Sequence, residues 1–167
     1  AGLNVSRLQA EGYLQWGQAL WRQGEYAEAR ARLQRALELA RAVAGRPAAA
    51  QAPPAALRQI RTVEADSLRN LGNVCWYVGD YEAARADYGQ ALEICRALGN
   101  RRGESAAVNN LGTVYAKLGR HAEARTCYEQ ALVIDREIGN RPGLSKSLSN
   151  LGSVIDGQGY HDEARAA

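Results

Sequence analysis

The sequence predicts an all-α fold of stacked helix pairs, and three observations carry that prediction. The triplet Asn-Leu-Gly stands at Asn70-Leu71-Gly72, at Asn110-Leu111-Gly112 and at Asn150-Leu151-Gly152, a spacing of 40 residues each time. Longer matches follow each triplet at a fixed distance: Gly79-Asp80-Tyr81-Glu82-Ala83-Ala84-Arg85, Gly119-Arg120-His121-Ala122-Glu123-Ala124-Arg125 and Gly159-Tyr160-His161-Asp162-Glu163-Ala164-Arg165. Between the glycines, apolar or small residues recur three and four apart, the spacing of an amphipathic helix, and nothing alternates as a strand would. Self-similarity at this period marks helical units that bury their apolar faces only by stacking on one another.

The first unit runs from about residue 3 to 43. Tyr13, Gly17 and Leu20, then Gly24-Glu25-Tyr26, Ala29, Leu33, Ala36 and Leu37, repeat the spacing of the later units. That gives a helix, a glycine turn and a second helix. Gly17 precedes Gly72 by 55 residues, so 15 are inserted between the first two units. The insertion, about 45–59, contains Arg46-Pro47-Ala48-Ala49-Ala50-Gln51-Ala52-Pro53-Pro54. Its prolines bar helix continuation, predicting a mobile loop that ends as the next helix begins near Ala56 to Ile60.

The second unit covers about 57–100, the third 101–140, and an incomplete fourth 141–167; the whole reads as a single array over 1–167. Gly79 and Gly119 close the first helices, since glycine takes the left-handed conformation at no steric cost, and Asp80 is placed to cap the helix that follows. The second helices, about Tyr81 to Leu98 and His121 to Ile138, end at Gly99-Asn100 and Gly139-Asn140, again suited to positive φ. Gly72, Gly112 and Gly152 fall inside helices, where each costs about 1 kcal/mol relative to Ala. Close helix contact must offset that cost, with Ala84 and Ala124 facing the glycines and Tyr88 and Tyr128 filling the space beside them.

Composition narrows the function classes. A 167-residue chain that is 46% hydrophobic and 23% charged has material for a continuous core. No apolar run approaches the roughly 18 residues of a membrane helix, and the N-terminus lacks a signal-peptide pattern, which predicts a cytoplasmic protein without a membrane partner. Cys75, Cys95 and Cys127 form no CxxC pair and are odd in number, so they read as reduced packing residues and not as disulfides or zinc ligands. The net charge of +3 comes from basic and acidic residues interleaved along the helices, a solvated surface and not a nucleic-acid footprint. The chain has no Met and stops at Ala167 inside a helical pattern, as expected of a piece of a longer protein.

On these motifs the chain resembles a tetratricopeptide repeat array. The family pattern, a Leu-Gly pair with an aromatic three residues on, a small residue twelve after the Gly, an aromatic sixteen after and an Ala nineteen after, appears as Leu111-Gly112, Tyr115, Ala124, Tyr128, Ala131 and as Leu71-Gly72, Cys75, Ala84, Tyr88, Ala91. The first unit fits as Gly17, Leu20, Ala29, Leu33, Ala36, with Trp16 in place of the Leu. The Pro that usually ends the second helix is absent and the unit has 40 residues instead of 34, as in the similar repeats of kinesin light chains, peptide-binding polarity adaptors and bacterial signalling ATPases and regulators. The resemblance implies a right-handed superhelical solenoid of antiparallel helix pairs, acting as a protein-interaction module without catalysis or cofactor.

The resemblance also implies a concave groove lined by the first helices. Asn70, Asn110 and Asn150 would form a ladder there, with Gln15 in the corresponding place of the first unit. A carboxamide donates to and accepts from a peptide backbone at once, which suits an extended segment of almost any sequence. Arg69 and Asn73, with Asn109, Lys117 and Lys146 further along, would favour an acidic or C-terminal peptide. The repeated Asn could equally bond across adjacent helices and hold the pitch of the array. Trp21 and Trp76, each four residues past the Gly, could stack on a ligand or pack between units.

Other readings carry less. His121 and His161 occupy the position held by Tyr26 and Tyr81, so they read as helix-start residues and not as catalytic groups or metal ligands. No phosphate loop or GxSxG elbow is present. An architectural alternative is a spacer or self-association domain. The fourth unit stops before residues matching Tyr128, Ala131 and Leu132, and the uncovered first helix predicts a homodimer through the C-terminal end.

Overall fold

The computed structural model describes residues 2–46 and 53–166, with side chains over 5–46 and 53–156. Every regular element among them is an α-helix: α1 (Gly2–Gln23), α2 (Tyr26–Ala44), α3 (Pro54–Tyr77), α4 (Tyr81–Ala97), α5 (Arg101–Lys117), α6 (His121–Glu137) and α7 (Arg141–Ala166). They group into two compact units, residues 1–99 holding α1 to α4 and residues 100–167 holding α5 to α7.

Glycine punctuates the chain as expected. Gly24, Gly79 and Gly119, between the two helices of each pair, have φ of +85°, +85° and +72°. Asp80 caps α4 by accepting from the Ala83 N–H at 3.1 Å. At the far end of each pair the roles divide: Gly99 and Gly139 take positive φ, whereas Asn100 has φ −81° and its side chain accepts from the Gly103 N–H, capping α5. The expectation that the Asn would also adopt positive φ is corrected here, because its carboxamide does more at the N-cap than its backbone would in a turn.

Two boundaries differ from expectation. α3 begins at Pro54, ahead of the predicted start near Ala56 to Ile60; proline suits a first helical position, where its fixed φ is right and its missing N–H has no partner to lose. Residues 47–52, the centre of the predicted mobile insertion, lie outside the described residues. The helix backbone of α7 also runs on through Gly159, which aligns with the turn glycines Gly79 and Gly119.

In the first unit the core is built from Ala10 and Leu14 of α1, Ala29, Leu33, Ala36, Ala40 and Val43 of α2, and Ile60, Val63, Leu71 and Val74 of α3. In the second it includes Val108, Leu111 and Val114 of α5 and Ala124, Tyr128, Ala131 and Leu132 of α6. The intrahelical glycines explain the pairing. A Cβ on Gly72 would stand 2.6 Å from Tyr88 Cε1, one on Gly112 2.7 Å from Tyr128 Cε1, and one on Gly17 2.6 Å from Leu33 Cγ. The large residue of the second helix therefore lies over the glycine of the first, where the sequence reading had placed the alanine.

Candidate peptide-binding face

Helix geometry puts the residues around each Leu-Gly pair on the first helices, α3 in the first unit and α5 and α7 in the second, and the same repeat position is used differently in each. In α3, Asn70 is 8% exposed and its Nδ2 donates to the Asp66 carbonyl one turn back at 2.7 Å. Arg69, on the same turn, donates to the Asp66 carboxylate at 2.9 Å, so a carboxylate sits beside the only predicted groove cation of that unit. Asn73 Oδ1 accepts from the Tyr88 hydroxyl at 2.7 Å. That bond recurs one repeat later, where the Tyr128 hydroxyl donates to Thr113 Oγ1 at 3.3 Å. Burial pushes the ionisation of both tyrosines up, which fits hydroxyls that act as donors. Gln15 on α1 is exposed.

In the second unit the predicted residues meet one another. Asn109, 3% exposed, donates to the Ser147 hydroxyl at 2.7 Å and accepts from Asn150 Nδ2 at 3.2 Å, a chain of bonds running from α5 to α7. Asn110 is half-buried, and its Oδ1 accepts from the exposed Lys146 ammonium at 3.1 Å. Lys117 is exposed, seven residues from Asn110 and hence on the same side of α5. Two of the amides thus brace adjacent first helices, while the Asn110–Lys146 pair stands at the surface.

Trp21 and Trp76 are engaged within the first unit. Trp21 packs on its core and meets Tyr77 edge-on at 6.2 Å, and Trp76 meets Tyr77 at 5.9 Å. Tyr26 lies 4.9 Å from the same ring. The Trp21 and Tyr26 contacts join the first two helix pairs, which for Trp21 is the packing alternative of the two read from sequence, whereas the Trp76–Tyr77 contact lies between neighbours on α3. The cysteines are free thiols, Cys75 and Cys95 buried. His121 is half-buried at the start of α6, and the side chain of His161 lies outside the described residues.

Two polar features had escaped the sequence reading. Glu64, 4% exposed, holds Arg41 at 3.1 Å through one oxygen and Arg61 at 2.7 Å through the other. Its repeat equivalent, Glu104, 7% exposed, holds Arg101 at 2.8 Å, and Arg101 also reaches Glu137. The signal was present as Arg-x-x-Glu at 61–64 and 101–104, a repeat of charge instead of apolarity. Asp87 faces the Cys75 thiol at 3.8 Å, and burial raises its carboxyl to about 6 despite the nearby Arg30 and Arg41.

Models of the tetratricopeptide repeat family match residues 10–42, 65–98 and 104–167. The chain belongs to the tetratricopeptide repeat family. It has no match among curated proteins. Among solved structures it is similar to the apo form of RapI, at 17% identity and TM-score 0.78 over 95% of this chain and 52% of that one. It is similar also to a signal transduction ATPase with numerous domains and a tetratricopeptide repeat sensor from Pyrococcus horikoshii, at 15% identity and TM-score 0.74 over 95% of this chain and 22% of that one. A third is the C-terminal repeat-containing domain of a putative FK506-binding protein of Plasmodium falciparum, at 17% identity and TM-score 0.69 over 97% and 94%. The chain thus spans about half of RapI and about a fifth of the ATPase. These likenesses concern the fold; the repeats make it a protein-interaction module. No helix among the described residues is long and apolar enough to cross a membrane.

Proposed function

We propose that the chain recognises an extended, acidic or C-terminal peptide segment of a protein partner along its first helices, as the sensing or scaffolding part of a larger cytoplasmic signalling or regulatory protein of bacterial type. The observation that carries this reading is the Asn110–Lys146 pair, an amide and an ammonium 3.1 Å apart at the surface of adjacent first helices, with Lys117 on the same side. An amide offers backbone-type hydrogen bonding and the ammonium a charge-assisted bond to a carboxylate, which is the pair of functions such a peptide requires. Similarity to a protein whose repeats are described as a sensor supports the signalling context.

Fluorescence titration of acidic peptides against wild type and an Asn110→Ala/Lys146→Gln variant tests it. Binding should weaken about tenfold, the loss of roughly 1.4 kcal/mol expected of one charge-assisted contact. Equal affinity with an intact helical circular dichroism spectrum refutes the reading. A second reading, self-association through the C-terminal end, draws on Leu148 and Ile155 of α7, 52% and 48% exposed. Sedimentation velocity decides it, and a monomer at all concentrations rejects it.

A further inference from the structure

The Arg-x-x-Glu pair of α3 and α5 is only half kept in α7. Arg61 donates to Glu64 at 2.7 Å and Arg101 donates to Glu104 at 2.8 Å. The matching residues of α7 are Arg141 and Leu144, so the arginine recurs and the carboxylate that answers it does not. Glu137 of α6 gives Arg101 a second partner, but the residue matching Glu137 one repeat earlier is Ala97, and Arg61 is held all the same. The glutamate three residues on is therefore what neutralises this position, and Leu144 removes it.

Arg141 is exposed, and among the described residues its side chain makes no hydrogen bond or ion pair; the same holds for Arg102 at the start of α5. Both line one cleft of about 530 Å³, together with Ile138, Gly139, Asn140 and Pro142, and no acidic side chain is in that lining. The acids just before it in sequence are engaged elsewhere. Glu137 holds Arg101, and Asp135, 1% exposed, accepts from the Asn140 carboxamide at 2.7 Å. Two unanswered cations on the wall of one recess repel each other and concentrate a positive field there, which an anion relieves.

We propose that this cleft binds a phosphate monoester, with Arg102 and Arg141 each offering a guanidinium fork to its oxygens. The charges match: such a group carries about −1.5 to −2 at neutral pH, and the planar fork meets phosphate oxygens in pairs. A single carboxylate would answer only one of the two cations. Ile138, 39% exposed, and Pro142 leave an apolar wall for the carbon skeleton that bears the phosphate. The same chemistry is carried by a phosphorylated serine of a partner protein and by a small organic phosphate, and the two arms of the test separate them. The cleft shares no residue with the Asn110–Lys146 pair, so failure of either assignment leaves the other standing.

Isothermal titration calorimetry of the full chain is the test, against a pentapeptide with a central phosphoserine and, separately, against phenyl phosphate. Saturable binding of at least one is expected at low ionic strength, and the tighter of the two names the source. Arg102→Gln and Arg141→Gln should each weaken it about tenfold, the loss of one charge-assisted contact. Leu144→Glu removes no cation but restores the carboxylate that the matching positions of α3 and α5 hold against their arginines, and it should weaken binding as much. Arg58→Gln, at an exposed arginine outside the cleft, should leave it unchanged. The proposal is overturned if neither probe saturates, or if the peptide with unmodified serine binds as well as the phosphorylated one. It is overturned equally if the Leu144→Glu chain, helical by circular dichroism, binds as wild type does, or if Arg58→Gln weakens binding as much as the cleft variants.

Discussion

Alanine at Gly112 and alanine at Gly152 occupy the same position of successive repeats and should change stability in opposite directions. Both positions lie inside a helix, where replacing Gly by Ala gains about 1 kcal/mol through the backbone alone. At Gly152 nothing opposes that gain, since the added Cβ meets no atom within 4 Å. At Gly112 the Cβ would stand 2.7 Å and 2.9 Å from Tyr128 ring atoms and 3.1 Å from Cys127 Cβ, all inside the roughly 3.5–4.0 Å of a relaxed carbon contact. The ring cannot swing away: it is 2% exposed, its hydroxyl is bonded to Thr113, and it lies in one buried cluster with Ala124 and Val154. Overpacking of this kind costs about 1–3 kcal/mol. The expected balance is a loss of about 1 kcal/mol for Gly112→Ala, or a melting temperature lower by about 2–4 °C, and a comparable rise for Gly152→Ala. Thermal unfolding by far-ultraviolet circular dichroism, checked by urea titration, measures both. If Gly112→Ala stabilises as Gly152→Ala does, the tyrosine-over-glycine account of the repeat is wrong.

Two further perturbations address buried charge. Asp87 has a carboxyl raised to about 6 by burial, so between its ordinary pKa near 4 and pH 6 the folded chain binds more protons than the unfolded one. Its contribution is therefore most favourable at low pH, lost as pH rises through about 6, and flat above. The shift corresponds to about 3 kcal/mol, reduced to roughly 1–2 by solvent screening of a group only partly enclosed; Asp87→Asn should flatten that part of the stability–pH curve, and an unchanged difference from pH 4 to 7 in chemical denaturation would contradict it. At Glu64, removing the carboxylate and removing its partners should differ: Glu64→Leu, the residue type found at the equivalent Leu144, should stay within about 1 kcal/mol of wild type because Arg41 and Arg61 can return to solvent. Replacing both arginines by alanine strands the 4%-exposed carboxylate and should cost about 3 kcal/mol or more in the same denaturation assay.

What could be read from the sequence and what could not separate along physical lines. The helix pairs, their glycine turns and the Asp80 cap were legible because each depends on local backbone preference repeated at a fixed period. Helix ends at Gly79 and Gly119 needed no knowledge of neighbours. The role of Asn100 was misread because positive φ and N-capping favour the same residue type, and only the bond from Gly103 tells them apart. Which residue fills the space over Gly72 was likewise hidden. Ala84 and Tyr88 lie one turn apart on α4, and their reach toward α3 depends on side-chain length and helix crossing, which spacing does not encode. Glu64 and Glu104 were missed because a search for apolar periodicity passes over charge that repeats at the same period.

The Asn column shows how neighbours set the use of one repeat position. Asn70, Asn110 and Asn150 share a backbone setting, yet the first turns back to its own helix, the second meets Lys146, and the third bonds Asn109. The residue before each differs, being Arg69, Asn109 and Ser149. Arg69 donates to Asp66 on its own helix, whereas the short carboxamide of Asn109 presents its oxygen to Asn150. Loss of Asn150 would leave the oxygen of a side chain only 3% exposed without that donor, a cost of about 1–3 kcal/mol that falls on stability. Loss of Asn110 removes one contact of an exposed ammonium that water can solvate, so its cost to folding should be small. If the amides served only to brace the helices, both substitutions would destabilise and neither would alter peptide affinity alone. A variant at Asn110 that folds as wild type but binds less is therefore what separates recognition from bracing, and it places the functional weight on one amide of the three.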